Sequence, residues 1–167
     1  LKGNVKGRLR EICVILTANI LEMCGKGSYD ECIKLAEESI DSGKALEKFR
    51  QEITLQGGNP EVTDNYSLFP QPKHKIEIFA WKSGYIAGMA SEKIGEVSLF
   101  LGAGRETKDS AIDYSAGIIL NKAVGEYIEK GELLMTLHTS LEDTSDAQRK
   151  IKEAIMISEY KTVKTPV

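Results

Sequence analysis

The apolar positions in the first third of the chain recur at the spacing of α-helices. Between Arg8 and Cys24 they form one stripe with a period near 3.6 residues, made of Leu9, Ile12, Cys13, Leu16, Ile20 and Met23. Val14, Ile15 and Leu21 lie off this stripe. Because a helix that is apolar around much of its circumference needs cover on more than one side, we expect a further packing partner for it.

Two more helices are marked by their ends. Ser28 and Glu31 have the spacing of a capping box, and Gly43 stands where a glycine ends a helix. A third helix is predicted from Lys44 to Gln56 and is stopped by Gly57-Gly58. The inward positions are predicted to be Ile33, Ala36 and Ile40 in the second helix and Leu46, Phe49 and Ile53 in the third.

Beyond a proline-containing connector at residues 59–75, the pattern changes to the alternation of β-strands. A turn at Lys82-Ser83-Gly84 is expected to return the first strand, and Ser91 is the expected N-cap of the helix that follows. Strands are predicted at 75–81, 85–89, 117–120, 126–128 and 133–138, helices at 91–101 and 145–157, and an edge strand in the tail at 159–167. Short strands turned by glycines predict a compact, curled antiparallel sheet, so the chain is predicted to be α+β.

Composition narrows the function classes without choosing one. The 167 residues are 41% hydrophobic and 28% charged, with a net charge of −3, which is typical of an ordinary globular protein. Such a charge favours neither nucleic acid nor an acidic membrane as partner, and no apolar run is long enough to span a bilayer. The chain opens at Leu1 without an initiator Met, so we expect a fragment of a longer protein.

The three cysteines all lie in the first fifth of the chain, with no paired spacing. An odd count of this kind indicates a reducing compartment, and we expect a cytoplasmic protein. Cys13 and Cys32 occupy apolar helical positions and are predicted to be small core residues. There is no CxxC motif, and His74 and His138 are far from the cysteines, so no metal site is predicted.

The loop Gly102-Ala103-Gly104-Arg105, with Lys108 close behind, is the most conspicuous candidate site. Glycines let successive N–H groups point into one concavity, and a guanidinium can clamp a phosphate. The spacing fits neither a P-loop nor a dinucleotide fingerprint, and the loop follows a helix where a phosphate loop normally precedes one. A helix C-cap at Gly102 and a turn at Gly104 explain both glycines without a ligand, so phosphate binding remains the weaker alternative.

The other candidates are weaker still. Asp113 could pair with Arg105 or Lys108 and hold the loop in shape, but it has no second acid with which to act as a general base. His138 on the last strand and His74 in the connector lack the companions of a catalytic triad. Phe79 and Trp81 are interpreted as core or domain-packing aromatic residues. No catalytic residue is assigned.

Taken in order, segments along nearly the whole chain resemble the C-terminal part of the pyrimidine-nucleoside and thymidine phosphorylases. These segments are Leu9-Arg10-Glu11-Ile12-Cys13, Ser42-Gly43-Lys44-Ala45-Leu46-Glu47-Lys48-Phe49, Gln56-Gly57-Gly58, Ser83-Gly84-Tyr85-Ile86, Leu101-Gly102-Ala103-Gly104-Arg105, Ile112-Asp113, Ala116-Gly117-Ile118, Val124-Gly125 and Lys130-Gly131-Glu132. Asn59, where many relatives have Asp, and Ala123, where a second Lys is common, depart from the pattern.

The resemblance implies a parent enzyme of three parts: a helical domain, an α/β domain and a C-terminal α+β domain. Residues 1–70 resemble the closing helices of the α/β domain, and residues 71–167 resemble the C-terminal domain, with a hammerhead or barrel-sandwich-like sheet. Such a parent, a homodimer assembled mainly through the missing helical domain, cleaves pyrimidine nucleosides with inorganic phosphate as co-substrate and needs no other cofactor.

The resemblance also implies that the residues of that chemistry are missing. The family's Lys-His-Ser-Thr-Gly-Gly phosphate motif is absent from this sequence, and its cation site is expected upstream of Leu1. We therefore expect the chain alone to be inactive. The loop residues Gly102, Gly104, Arg105 and Lys108 are expected to face the parent's interdomain cleft.

A non-enzymatic module is the alternative. Val124 to Leu134 is similar to a half-repeat of the biotinyl and lipoyl carrier domains, which present a modified lysine at a hairpin tip. Lys122 lies in a predicted turn, but its neighbours Asn121 and Ala123 do not match the usual flanks, and no second half-repeat is evident.

Overall fold

A computed structural model describes residues 1–4, 6–105 and 107–161. The chain divides into two compact units, Leu1–Leu68 and a second unit that begins at Phe69. The first unit contains α1 (Arg8–Met23), α2 (Tyr29–Asp41), α3 (Lys44–Leu55) and two 3₁₀ turns (Pro60–Thr63 and Tyr66–Leu68). The predicted capping box is confirmed, because Glu31 Oε2 accepts the Ser28 N–H at 2.8 Å. Gly43 and Gly57 adopt positive φ where α2 and α3 end, as predicted.

The helical unit buries mainly small side chains. Val14 and Ala18 of α1 and Cys32 and Ala36 of α2 are buried, so α1 and α2 approach each other closely. Most of the predicted apolar stripe of α1 lies on the exposed side of the helix: Leu9, Leu16, Ile20 and Met23 are between 59% and 86% exposed.

Two inward predictions for the helical unit are wrong. Phe49 is 42% exposed, and Cys13 is exposed whereas Cys32 is buried as predicted. The physical reason is that α3 has no buried residue and the α1–α2 contact is made by other positions, so these faces have no neighbour within the unit.

The second unit mixes strands and helices. It contains β1 (His74–Phe79), β2 (Gly84–Met89), α4 (Ser91–Ser98), β3 (Gly117–Leu120), β4 (Tyr127–Ile128), β5 (Leu133–Thr139), α5 (Ser145–Ala154) and β6 (Ile155–Ser158). The strands pair antiparallel in two sheets, one ordered β1-β5-β3 and the other β4-β2-β6. The predicted α+β class with short antiparallel strands is confirmed, and within the described residues neither sheet closes into a barrel.

The two sheets correct two local predictions. The turn at Lys82-Ser83-Gly84 does not make a hairpin, because β1 pairs with β5 while β2 pairs with β4 and β6. The last helix ends at Ala154 and not at residue 157, because Ile155 and Ile157 alternate inward on a strand that hydrogen-bonds to β2. The predicted edge strand at 159–167 stays a prediction, because its residues 162–167 lie outside the described residues. Ser91 is the first helical residue and not the N-cap, which is Ala90.

One continuous core holds the second unit together. Both sheets, α4 and α5 contribute large side chains that are completely or almost completely buried: Ile86, Val97, Leu101, Ile128, Leu134, Met135, Leu137 and Ile151. The predicted inward positions Val97 and Leu101 are confirmed, and Ile94 packs against the same core. This core supports the glycine-rich loop, since Leu101 is the last buried residue before it.

Candidate functional site

The glycine-rich loop begins where a helix is forced to stop. After α4 the chain makes a π-helical turn, Leu99–Ala103, and Gly102 leaves it with φ of 109°. Only glycine adopts such a conformation readily, so the predicted helix stop at Gly102 is confirmed. The carbonyl of the preceding Leu101 accepts a buried hydrogen bond of 2.8 Å from Thr139 Oγ1, at the end of β5.

The other end of the loop is held by Asp113. Its N–H donates to the Gly102 carbonyl at 2.9 Å, which brings the two ends of the loop together. One carboxylate oxygen, Oδ1, accepts from the Ser115 N–H at 2.9 Å and from Ser115 Oγ at 2.6 Å. The other, Oδ2, accepts from Ser140 Oγ at 2.7 Å.

These contacts decide the chemistry of Asp113. The hydroxyl of Ser115, followed by that of Ser140, holds the pKa of the carboxyl below its usual range. A carboxylate with a lowered pKa and with both oxygens engaged is a poor general base. The prediction that Asp113 pairs with Arg105 or Lys108 is wrong, because two serines occupy its oxygens.

Arg105 and Lys108 are exposed, as are Thr107 and Asp109, whereas Gly102 and Gly104 are half-buried. Thr107 and Ser110 close a small turn, in which the Thr107 N–H donates to Ser110 Oγ at 3.1 Å. Beside the loop lies an open depression of about 540 Å³, with Leu99 in its wall and Glu142 and Asp143 also lining it. Two carboxylates so close to the loop oppose an anion in this depression, which weakens the case for phosphate.

The two histidines lie on strands of one sheet. His74 is the first residue of β1 and not part of the connector, and its Nε2 is 3.7 Å from Glu142 Oε1. His138 on β5 lies between Lys75 of β1 and Gly117 of β3. Partial burial, and secondarily Lys75, lowers the pKa of His138, so its neutral form is favoured near pH 7.

Two aromatic side chains are predicted to pack in the core or against another domain. Trp81 is half-buried and packs against the core, whereas Phe79 is 49% exposed. Among the described residues, no group of three His, Cys, Asp or Glu side chains comes together as a metal site would need. No helix in the described part of the chain has both the length and the apolar character to cross a bilayer.

The segment that is similar to carrier half-repeats contains two turns of the same design. In each, a glutamate side chain accepts an N–H at the start of its own turn: Glu126 from Ala123, and Glu132 from Glu129. The glycine N–H of each turn donates a hydrogen bond of 2.8 Å. Gly125 donates to the carbonyl of Ile86 in β2, and Gly131 donates to the carbonyl of Ala80, which precedes β2. Gly125 and Gly131 are therefore explained by the two turns that they form.

Lys122 lacks the geometry of a carrier lysine. Its Nζ forms an ion pair with Glu132 Oε1, and only 23% of its side chain is exposed. It also lies between β3 and β4, which belong to different sheets, and not at the tip of a hairpin. A lysine that must reach a modifying enzyme needs a free ammonium group, so the structure disfavours carrier function.

Sequence reasoning missed Thr139 and Ser140, which anchor both ends of the loop. Ser140 is 27 residues away from Asp113 in the chain. No local pattern links two residues at that separation, because the contact depends on how β5 is placed against the loop.

Comparison with known proteins finds a family whose model covers the loop and the strands around it. Residues 85–158, which run from β2 through the loop to the end of β6, match the pyrimidine nucleoside phosphorylase C-terminal domain. The pyrimidine-nucleoside phosphorylase of Staphylococcus aureus strain bovine RF122 / ET3-1 is 40% identical over 161 residues, and that of strain USA300 is 39% identical over the same length. In both comparisons the alignment covers 96% of this chain and 37% of the relative. The chain therefore carries the pyrimidine nucleoside phosphorylase C-terminal domain at residues 85–158, and 96% of its length corresponds to part of a pyrimidine-nucleoside phosphorylase.

Proposed function

We propose that this chain is the C-terminal part of an enzyme that cleaves pyrimidine nucleosides, such as uridine, thymidine or deoxyuridine, with inorganic phosphate. The products are the free base and a pentose 1-phosphate. The observation that carries the proposal is that 40% identity to a pyrimidine-nucleoside phosphorylase extends over 96% of the chain, across both compact units. The chain spans 37% of that relative's length, so the remaining parts of the enzyme lie outside it.

The helical unit is proposed to close the α/β domain of that enzyme. Its support is the exposed face of α1, where Leu9, Leu16, Ile20 and Met23 are all more than half exposed. Fully burying one such side chain stabilises a protein by about 1.5 to 3 kcal/mol, so covering the whole face is a substantial contribution. An adjoining domain of the same enzyme would provide that cover.

The chain alone is proposed to be inactive. Phosphorolysis requires that phosphate and nucleoside are held within reacting distance, and the family's phosphate motif is absent from this sequence. The loop carboxylate Asp113 is engaged by Ser115 and Ser140 and offers no general base. All three cysteines are free thiols, which supports a reducing, cytoplasmic setting for the enzyme. We expect the enzyme to be a homodimer, assembled through a domain outside this chain.

The loop residues Gly102, Gly104, Arg105 and Lys108 are proposed to border the cleft in which the substrates bind. The support is that two exposed side chains, Arg105 and Lys108, are carried on a segment whose two ends are anchored by hydrogen bonds. A residue that borders a substrate cleft must be held in place by its surroundings, and these bonds provide that support.

A direct assay tests the function. The full-length enzyme is expected to release uracil from uridine in a phosphate-dependent manner, followed by the change in ultraviolet absorbance, whereas residues 1–167 alone release none above background. Uracil release that scales with the concentration of the isolated chain contradicts the proposed inactivity. Absence of phosphate-dependent release by the full-length enzyme contradicts the proposed function itself.

A variant pair tests the loop. Arg105→Ala in the full-length enzyme is expected to raise the KM for one substrate. Arg149→Ala is the matched control, because Arg149 is an exposed arginine that bonds only within α5, to Asp146 and Glu153, among the described residues. Unchanged KM and kcat in the Arg105 variant contradict the placement of the loop at the cleft.

A further inference from the structure

The two ends of the glycine-rich loop are joined by one side chain. Asp113 bonds to Gly102 through its backbone and to Ser140 through its carboxylate, so the start of the loop, the end of the loop and the end of β5 meet at this residue. We refer to the bonds of the Asp113 side chain with Ser115 and Ser140 as the Asp113 staple. Gly102 is part of the same contact, because a Cβ added there would lie 3.3 Å from the Asp113 Cβ.

A second aspartate in the chain shows which half of the staple is unusual. Asp143 accepts hydrogen bonds from the N–H and the Oγ of Ser145, two residues ahead, as Asp113 does from Ser115. This local turn therefore occurs twice, and the carboxylate of Asp143 lies beside the loop but bonds to Ser145 and not to the loop. The bond from Ser140 Oγ to Asp113 Oδ2 is the part that reaches across 27 residues.

The long-range bond has a mechanical consequence. Thr139 fixes the carbonyl of Leu101, and Ser140 fixes the carboxylate of Asp113, so the last residue of β5 and the residue after it hold the two ends of the loop. The Thr139 bond is fully buried, whereas Asp113 is only half-buried. Of the two attachments, the staple is thus the one that solvent can replace, and its strength sets how often the loop leaves its position.

We propose that Asp113 is a positioning residue that acts through Ser140 to hold the glycine-rich loop, and with it Arg105, in the conformation that receives substrate. The proposal rests on the proposed function in one respect, namely that the loop borders the substrate cleft. Asp113 touches neither substrate nor the reacting atoms in this role. If the loop is in the competent position in only a fraction of the molecules, the apparent affinity for substrate falls to that fraction of its full value.

The first test measures the loop directly and needs no activity. Amide hydrogen exchange is followed in residues 103–116 of this chain, where the N–H groups of Asp113 and Ala116 are hydrogen-bonded. Asp113→Asn and Ser140→Ala are each expected to speed exchange about tenfold, because a hydrogen bond to a charged group is lost. Asp143→Asn is the matched control, since it removes a carboxylate of the same local turn, and it is expected to leave exchange in 103–116 unchanged.

The second test uses the full-length enzyme. Asp113→Asn and Ser140→Ala are expected to raise the KM for substrate about tenfold while kcat at saturation stays within about twofold, because bound substrate restores the loop to its position. Ser115→Ala removes the local hydroxyl bond and keeps Ser140, so its KM is expected to change less than that of Ser140→Ala.

The outcomes separate the proposal from the function on which it rests. Exchange in 103–116 that stays within twofold of wild type in both staple variants overturns the staple as a restraint on the loop. Faster exchange with unchanged KM in an active enzyme overturns the positioning role. Without phosphorolysis by the wild-type full-length enzyme, the function fails and so does the positioning role, while the exchange result still decides whether the staple restrains the loop.

Discussion

Two glycines on β2 face β6 in different ways, and this difference allows a sharp test of the fold. At Gly84, φ is 153° and an added Cβ would lie 2.6 Å from the Ser158 carbonyl oxygen and 2.8 Å from Ile157 Cγ2. At Gly88, an added Cβ would meet only the Met156 Cβ, at 4.0 Å. Gly84→Ala therefore forces a backbone clash that Gly88→Ala does not.

The expected loss can be worked out from this geometry. A non-glycine residue in the conformation of Gly84 costs about 1 kcal/mol, and displacing the β6 backbone adds about 2 kcal/mol, within the usual range for overpacking. We expect Gly84→Ala to lower the free energy of unfolding of the second unit by about 3 kcal/mol. With a urea dependence of about 1.5 kcal/mol per molar, the midpoint falls by about 2 M.

The chain offers its own probe for this measurement. Trp81 is the only tryptophan, and it packs against the core of the second unit, so its fluorescence reports the unfolding of that unit. Urea titrations of wild type, Gly84→Ala and Gly88→Ala would be compared, with Gly88→Ala expected within about 0.5 M of wild type. Equal midpoints for the two alanine variants would refute the close approach of β2 and β6 at Gly84.

Three further predictions follow from other parts of the structure. Because hydrogen bonds lower the pKa of Asp113 below the ordinary value of 3.8, the stability difference between wild type and Asp113→Asn should be complete above about pH 4 and shrink as the pH falls further, as urea midpoints from pH 7 to pH 3 would show. Leu16→Glu should leave the helicity of this chain unchanged but impair assembly of the full-length enzyme, whereas Ala18→Glu, at a fully buried position, should unfold the helical unit in circular dichroism. The ion pair of Lys122 with Glu132 predicts an unmodified lysine, and an intact mass that includes biotin or lipoate would contradict this prediction and favour carrier function.

Local signals predicted the helical ends well because the interactions that make them are local. The capping box of Ser28 and Glu31 spans three residues, and Gly43 ends α2 through its own backbone conformation. The class of the second unit followed from the same kind of signal, namely short alternating strands between glycine turns. What local patterns could not supply was the partner of each strand, since β1 and β2 are neighbours in sequence but lie in different sheets.

The errors share this cause. Ile155 and Ile157 fit a helix continuing from α5 as well as a strand, and the free edge of β2 decides between the two. Asp113 has cationic neighbours in sequence, yet it bonds to Ser140, because the end of β5 brings Ser140 Oγ to 2.7 Å from Asp113 Oδ2. In both cases the deciding group lies far away along the chain, so composition and spacing around the residue carry no information about it.

The two units differ in the size of the side chains that each one buries. The second unit buries large side chains from both sheets and from α4 and α5, including Leu134, Met135 and Leu137, each completely buried. The helical unit buries almost nothing larger than Val14 and leaves its best apolar face open. Since buried apolar area is the main source of stability, the second unit has the larger core of the two, whereas the helical unit has a small core and an apolar face that a further packing partner could cover. The glycine-rich loop belongs to the second unit and is anchored there by Thr139 and Ser140, so its geometry depends on that unit's own core, as the proposed place of the loop beside a substrate cleft requires.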